Sequence, residues 1–241
     1  MKNPMSIALA LICGGLLAGC SSSQDSGASN AAAAQQAQAS EAAQKLDTYR
    51  QLLRIHNDQM AVTMGHDILD RYPHSAAATE VQQTLPAIEQ RWKANSEKAR
   101  LANLWWYQVS PMEGGTQSTA AIYSSQPGGN DRVRLVLRRH TAWGQNAFLF
   151  GSGHGFVCRG NCTIPATFDD SHAAIKAFAP PTGEPALMIR DDKAFIAKLQ
   201  HAKKITMQVT TVDGEKKETL VYEVAGFDPA KWLPLPKGKK K

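Results

Sequence analysis

Residues 131–140 read DRVRLVLRRH, and the fold turns on this stretch. Val133, Leu135 and Leu137 fall at every second position, with Arg134 and Arg138 between and beyond them. A period of two sends the apolar side chains to one face and these arginines to the other, as in a strand with one face buried. From about residue 104 onward the same alternation, or an enrichment in aromatic and β-branched residues, recurs in NLWWYQVS, TQSTAAIYSS, QNAFLFGS, CTIPATF, AIKAFAP, ALMIR, KITMQVTTV and ETLVYEVAGF. Turn chemistry punctuates these runs. Gly128-Gly129-Asn130-Asp131 precedes Arg132, HTAWGQ follows as a hairpin connection, and Asp213-Gly214 divides the last two runs. One helix interrupts, started by Asp191 and Asp192 and lined by Ala194, Phe195, Ala197, Leu199 and Ala202. These runs and one helix predict a β-sandwich or a partly open barrel.

Upstream the period is helical. Leu46, Tyr49, Leu53 and His56 recur at steps of three and four, then Met60, Met64, Ile68 and Tyr72, then Val81, Leu85, Ile88 and Trp92. Pro73 disfavours a helical Tyr72, Ser75 is placed to cap the next helix, and Pro86 is placed to kink it. The methionines of the second helix read as core. The segment GHDILDRYPHSAAATEVQQTL, residues 65–85, resembles one joint of a tetratricopeptide-type repeat. It occurs once, and a repeat array needs about three copies to bury a continuous core. Three helices followed by a β-rich domain give an α+β chain.

The chain opens MKNPMSIALALICGGLLAGCSSS. Lys2 precedes an apolar run of about 14 residues, short of the roughly 20 that span a bilayer, which reads as a secretory leader. Leu17-Ala18-Gly19-Cys20 resembles the lipobox of bacterial lipoproteins. The resemblance implies cleavage before Cys20, lipid on its sulfur and amine, and a membrane as partner; several acyl chains anchor far more firmly than one. Ser21, in place of the aspartate that retains such proteins at the inner membrane, points to the outer membrane, facing the periplasm. The expected organisation is a lipoprotein signal peptide at 1–19, a flexible tether at 20–40, a helical segment at 41–103, a β-rich domain at 104–236 and a basic tail at 237–241. The tether, SSSQDSGASNAAAAQQAQAS, has no large apolar side chain to bury; residues from Ala31 on can join the following helix.

Charge adds little. The 27 Lys and Arg against 21 Asp and Glu leave a net +6, spread along the chain except for the closing KGKKK. Such a tail is solvated, or touches anionic lipid. An exported chain with no aromatic-basic recognition module is not expected to bind nucleic acid.

The β-rich part carries a tryptophan-bearing first strand, a short Cys-to-Cys turn, the helix-containing run FIAKLQHAKKITMQV, a tight turn and a closing VAGFDPA. In that order these resemble the invasion-associated locus B type of periplasmic domain, over about residues 104–232. The resemblance implies a β-rich envelope domain without established catalytic residues, in which Cys158, Cys162, Phe195 and Phe227 are scaffold positions. The N-terminal helices and the presence of a single cysteine pair depart from that family's pattern.

The motif richest in chemistry is GSGHGFVCRGNC, residues 151–162. His154, Cys158 and Cys162, completed by His140 or His172, have the residue types of a zinc site. Ser152 beside His154 suggests a nucleophile, but Gly-x-Ser-x-Gly fails at Phe150 and His154. Cys-x-x-x-Cys before a strand is not the redox spacing of Cys-x-x-Cys at a helix start. Of the four cysteines, Cys13 leaves with the leader and Cys20 takes lipid. Cys158 and Cys162 then pair in an oxidising compartment, with Gly160 and Asn161 tolerating the tight closure. The glycines around His154 mark a bulge or a close backbone approach. Asp169, Asp170 and His172 read as turn residues before an acid-base cluster, and Asp191 as a helix cap. Trp105 and Trp106 face opposite ways, one to the core and the other to packing or a sugar-binding surface. The expectation is a non-enzyme with no catalytic residue, no cofactor and no metal. It is a lipid-anchored interaction scaffold for an envelope protein in assembly, maintenance or secretion. The alternative is a binding module for a soluble envelope ligand such as a glycan.

Overall fold

The structure is a computed structural model that describes residues 25–151, 153–158 and 160–235. The leader, Cys20, Ser21, Ser152 and the 237–241 tail lie outside the described residues. The chain is α+β and divides into two compact units, residues 1–92 and 93–241. The division falls inside the third helix.

The first unit holds α1 (Asp25–Arg54), α2 (Asp58–Arg71) and the larger part of α3 (Ala76–Asn103). α1 begins well inside the expected tether, so the described part of 20–40 is helical. Its alanines and glutamines are strong helix formers, and the side chains of residues 29–41 are all exposed. The core gathers Tyr49, Ile68, Ala78 and Val81, each fully buried, with Leu46, Leu52 and Leu85 around them. One expected helical position and one expected core position are corrected. His56 sits at φ 56° in the α1–α2 turn, and Met60 is 55% exposed. The buried face of α2 passes instead through Ala61, Val62, Gly65 and Ile68. Small residues there let α3 come close: a Cβ on Gly65 would lie 2.8 Å from Leu85 Cδ1. The Ser75 hydroxyl accepts the Ala78 N–H at 3.1 Å and caps α3. Helix α3 runs on through Pro86.

The second unit is one nine-stranded antiparallel sheet that is not closed. Its strands are β1 (Trp105–Met112), β2 (Gly115–Tyr123), β3 (Arg134–His140), β4 (Gly144–Phe150), β5 (Asn161–Phe168), β6 (Ser171–Phe178), β7 (Ala186–Ile189), β8 (Lys204–Thr210) and β9 (Lys217–Glu223). Helix α4 (Asp192–Leu199), capped by Asp191, lies between β7 and β8. The spatial order is β1-β2-β3-β4-β7-β6-β5-β8-β9. The sheet curls around a single core, and an isolated bridge joins Gln126, just past β2, to Val221 of β9. A partly open barrel therefore describes it better than two packed sheets. Leu135, Leu137, Ala147, Leu149, Met207 and Leu220 fill the interior, each fully buried. Trp232 covers them near the C-terminus, its indole N–H donating to the Ser118 carbonyl at 3.1 Å. Trp105 is core, with Phe227 4.9 Å from it, and Phe195 of α4 is also buried.

Candidate functional site

The opposite, outward face of the sheet is not the polar surface that a simple alternation predicts. On β3 the outward positions are Arg134, Val136 and Arg138. The middle one is 5% exposed although it faces away from the interior. Register explains the burial. Val136 pairs with Ala121 of β2 and Phe148 of β4, Arg134 pairs with Phe150, and Arg138 pairs with Thr119 and Asn146. β4 is thus apolar on both faces, Ala147 and Leu149 inward, Phe148 and Phe150 outward. Phe148 in turn pairs with Met188 of β7. The result is a groove of about 610 Å³, inside the range of small-ligand sites. Trp106 and Gln108 of β1 stand on one side, and Thr182 and Glu184 of the β6–β7 loop also line it.

Two arginines lie in this apolar trough, each against aromatic rings. Arg134 Cζ is 5.1 Å from the Phe150 centroid, and Arg138 Cζ is 5.1 Å from Phe148 and 5.2 Å from Trp143. Such stacking is favourable, but it engages the guanidinium faces and leaves the in-plane donors to find acceptors. Arg138 donates one N–H to the Asn146 side-chain oxygen at 3.0 Å. Among the described residues the Nε of neither arginine, buried in both, has a hydrogen-bond partner. Among the described residues neither arginine has a carboxylate at ion-pair distance. Glu184, in the groove wall, accepts instead the Thr182 hydroxyl, which holds its carboxyl below the ordinary range. Burial pushes the Arg138 guanidinium below the ordinary arginine range.

The turn after β3 positions the outer aromatic. His140 is buried, and its Nδ1 accepts the N–H groups of Ala142 and Trp143 at 3.1 and 3.2 Å. The two rings stack with centroids 3.9 Å apart. Trp143 is thereby clamped between His140 beneath and Arg138 beside it, its indole 47% exposed. His140 serves the backbone of its own turn.

The glycine-rich motif lies elsewhere. Cys158 and Cys162 form a disulfide, so both sulfurs are bonded to each other. His154 meets an acidic partner that the sequence did not bring near it, Asp213 of the β8–β9 turn. The carboxylate accepts from the imidazole Nδ1 and from the His154 backbone N–H. Both side chains are largely exposed. Asp213 raises the His154 pKa, and His154 lowers that of Asp213. The expected close backbone approach is at Gly155, at φ 81°, where a Cβ would lie 2.7 Å from the Pro185 Cα. Asp169, at φ 50°, makes the β5–β6 turn and accepts the N–H groups of Lys203 and Lys204 at 2.9 and 2.8 Å. This is a turn role. Among the described residues no three His, Cys, Asp or Glu side chains gather as metal ligands, and no helix is long and apolar enough to cross a membrane.

Of the residues singled out from sequence, the groove unites Trp106, Arg134 and Arg138. It adds Phe148, Phe150 and Trp143, which sequence reasoning missed as site residues. Their signal was present: a strand with aromatic residues at the positions that should face water.

No family model matches the chain, and no curated protein matches it. Among solved structures it is similar to the crystal structure of invasion associated protein b from Bartonella henselae, at 20% identity over 53% of this chain and 87% of that one, with a TM-score of 0.37.

Proposed function

We propose that this chain is a non-enzymatic, lipid-anchored protein of the bacterial envelope whose β-rich unit binds a ligand in the outward groove. One observation carries the binding role: two half-buried arginines sit among aromatic rings with no carboxylate partner among the described residues. Structural arginines in such surroundings are ordinarily paired, because an unmet buried donor costs about 1–3 kcal/mol. A site that lacks its anion within the chain is suited to receive one from outside. The leader, with Cys20 directly after Leu-Ala-Gly, supports anchoring at the outer membrane. The tests are direct. Labelled palmitate enters the wild-type protein and not Cys20→Ser, and a photoreactive residue at Gln108 captures material in intact cells that Trp106→Ala fails to capture. An unlabelled, cytosolic wild-type chain would remove the anchor from this reading, and equal capture by both variants would remove the groove.

A second reading, a scaffold for another envelope protein, is favoured by β1. It is an edge strand with Val109 48% and Met112 38% exposed, the kind of edge to which a partner strand adds. Disulfide crosslinking of a cysteine at Val109 to a single protein, undisturbed by Trp106→Ala, would favour the scaffold.

A further inference from the structure

We propose that the groove takes an acidic sugar, with one acid group on Arg134, a second on Arg138 and a sugar ring on the indole of Trp106. This rests on the groove being the ligand site and names the chemistry of its occupant. Arg134 and Arg138 are four residues apart on one strand, so their Cα atoms are separated by about 13 Å. Val136 closes the floor between them. Two cations on the two sides of that floor fit a ligand that carries two acid groups, and a single small anion engages only one of them.

The two guanidinium groups define the acids. Both line the groove, neither has a carboxylate at ion-pair distance among the described residues, and carboxylate or phosphate oxygens match the guanidinium fork in geometry and charge. The carboxylates in the groove wall, Glu113 and Glu184, are not at ion-pair distance from either arginine. The side wall defines the sugar. Trp106 is 59% exposed, an apolar plate on the same strand as Gln108, with Thr119 on the neighbouring strand. A sugar ring offers a C–H face to such a plate and hydroxyls to the amide and the threonine. A purely hydrocarbon ligand would leave the guanidinium donors unmet. A protein partner covers about 800 Å² per side, and a groove of about 610 Å³ is of small-ligand size.

The test is calorimetric titration of the full mature chain with three probes: trigalacturonate for carboxylates, glucose 1,6-bisphosphate for phosphates and maltotriose as the neutral control. At least one acidic probe saturates while maltotriose does not, and the stronger acidic probe identifies the acid. Arg134→Gln and Arg138→Gln each weaken that probe tenfold or more, Trp106→Ala weakens it comparably, and Arg138→Lys falls between wild type and Arg138→Gln. Unchanged thermal unfolding of each variant separates loss of binding from loss of fold. Equal binding of maltotriose, or wild-type affinity in both glutamine variants, overturns the proposal. If neither acidic probe binds while a photoreactive residue at Thr119 captures a protein in intact cells, the sugar is wrong and the groove survives as a site. If neither probe binds and nothing is captured, both the sugar and the groove reading fall.

Discussion

At the scale of single residues, the groove depends on donors without acceptors, and the glycine-rich loop on a charge pair that is complete. His154 and Asp213 hold the loop after β4 to the β8–β9 turn. The His154 pKa is raised above the ordinary value of about 6.5, so its contribution to stability is fully present below that pH and is lost as pH rises through the raised value. Asp213 behaves in the opposite sense: its pKa is depressed, its contribution is present above about 3.9 and is lost as pH falls through the lowered value. The pair therefore ties the loop most firmly in mildly acidic solution. Proton NMR titration of His154 is expected to give a midpoint above that of a free histidine, and Asp213→Asn to return it toward the ordinary value. A midpoint indifferent to Asp213→Asn would refute the pairing. The disulfide is checked as simply: alkylation of unreduced protein exported to the periplasm is expected to find no free thiol at Cys158 or Cys162, and reduction to release two.

At the scale of elements, each unit has a contact in which one substitution is decisive. Asp58, at the start of α2 and 8% exposed, accepts two hydrogen bonds from Arg91 of α3. That pairing holds its carboxyl below the ordinary range. Arg91→Ala leaves a nearly buried carboxylate without its partner and is expected to cost about 1–3 kcal/mol. Arg71→Ala breaks surface ion pairs with Glu41 and Asp67 and a loose stacking on the Tyr72 ring at 5.5 Å, and is expected to cost no more than about 1 kcal/mol. Urea denaturation followed at a helical signal compares them, and equal losses would contradict the argument. In the β-rich unit, Gly226 lies against the end of α3: a Cβ there would be 2.1 Å from the Leu101 carbonyl oxygen. Backbone cannot rotate aside as a side chain can, so Gly226→Ala is expected to destabilise by at least about 1–3 kcal/mol. Gly214→Ala, in open space but at φ 75°, is expected to cost less, roughly 1 kcal/mol. Thermal unfolding of the two variants orders them.

At the scale of the whole molecule, the proposed anchor turns a binding unit into an envelope device. Cell fractionation is expected to place the wild-type chain with outer membranes and Cys20→Ser in the soluble fraction, with the ligand affinity of the β-rich unit unchanged between them. Loss of that affinity on removing the lipid would contradict a site contained in the sheet. Much of the architecture was legible in advance: DRVRLVLRRH announced a strand, Tyr-Pro-His-Ser announced the α2–α3 joint, and Asp213-Gly214 announced a hairpin. These features are local, set by period and by turn chemistry over a few residues. The extent of α1 was not legible, because an alanine- and glutamine-rich run reads equally as tether or helix until its neighbour continues the hydrogen-bond ladder. Met60 was misplaced because a three- or four-residue step fixes a helix but not which of two adjacent stripes turns inward.

The sequence alone determined the α+β order, most strand positions, the Ser75 and Asp191 caps and the parity that sets Trp105 against Trp106. Which outward positions meet across strands was decided only by the tertiary structure. Arg134 reaches Phe150, and Arg138 reaches Phe148 and Trp143, through the β3–β4 register and the turn held by His140. His154 reaches Asp213 across 59 residues. The reason is physical: periodicity assigns a side chain to a face, but pairing across strands depends on register, curl and loop closure, which involve residues far apart along the chain.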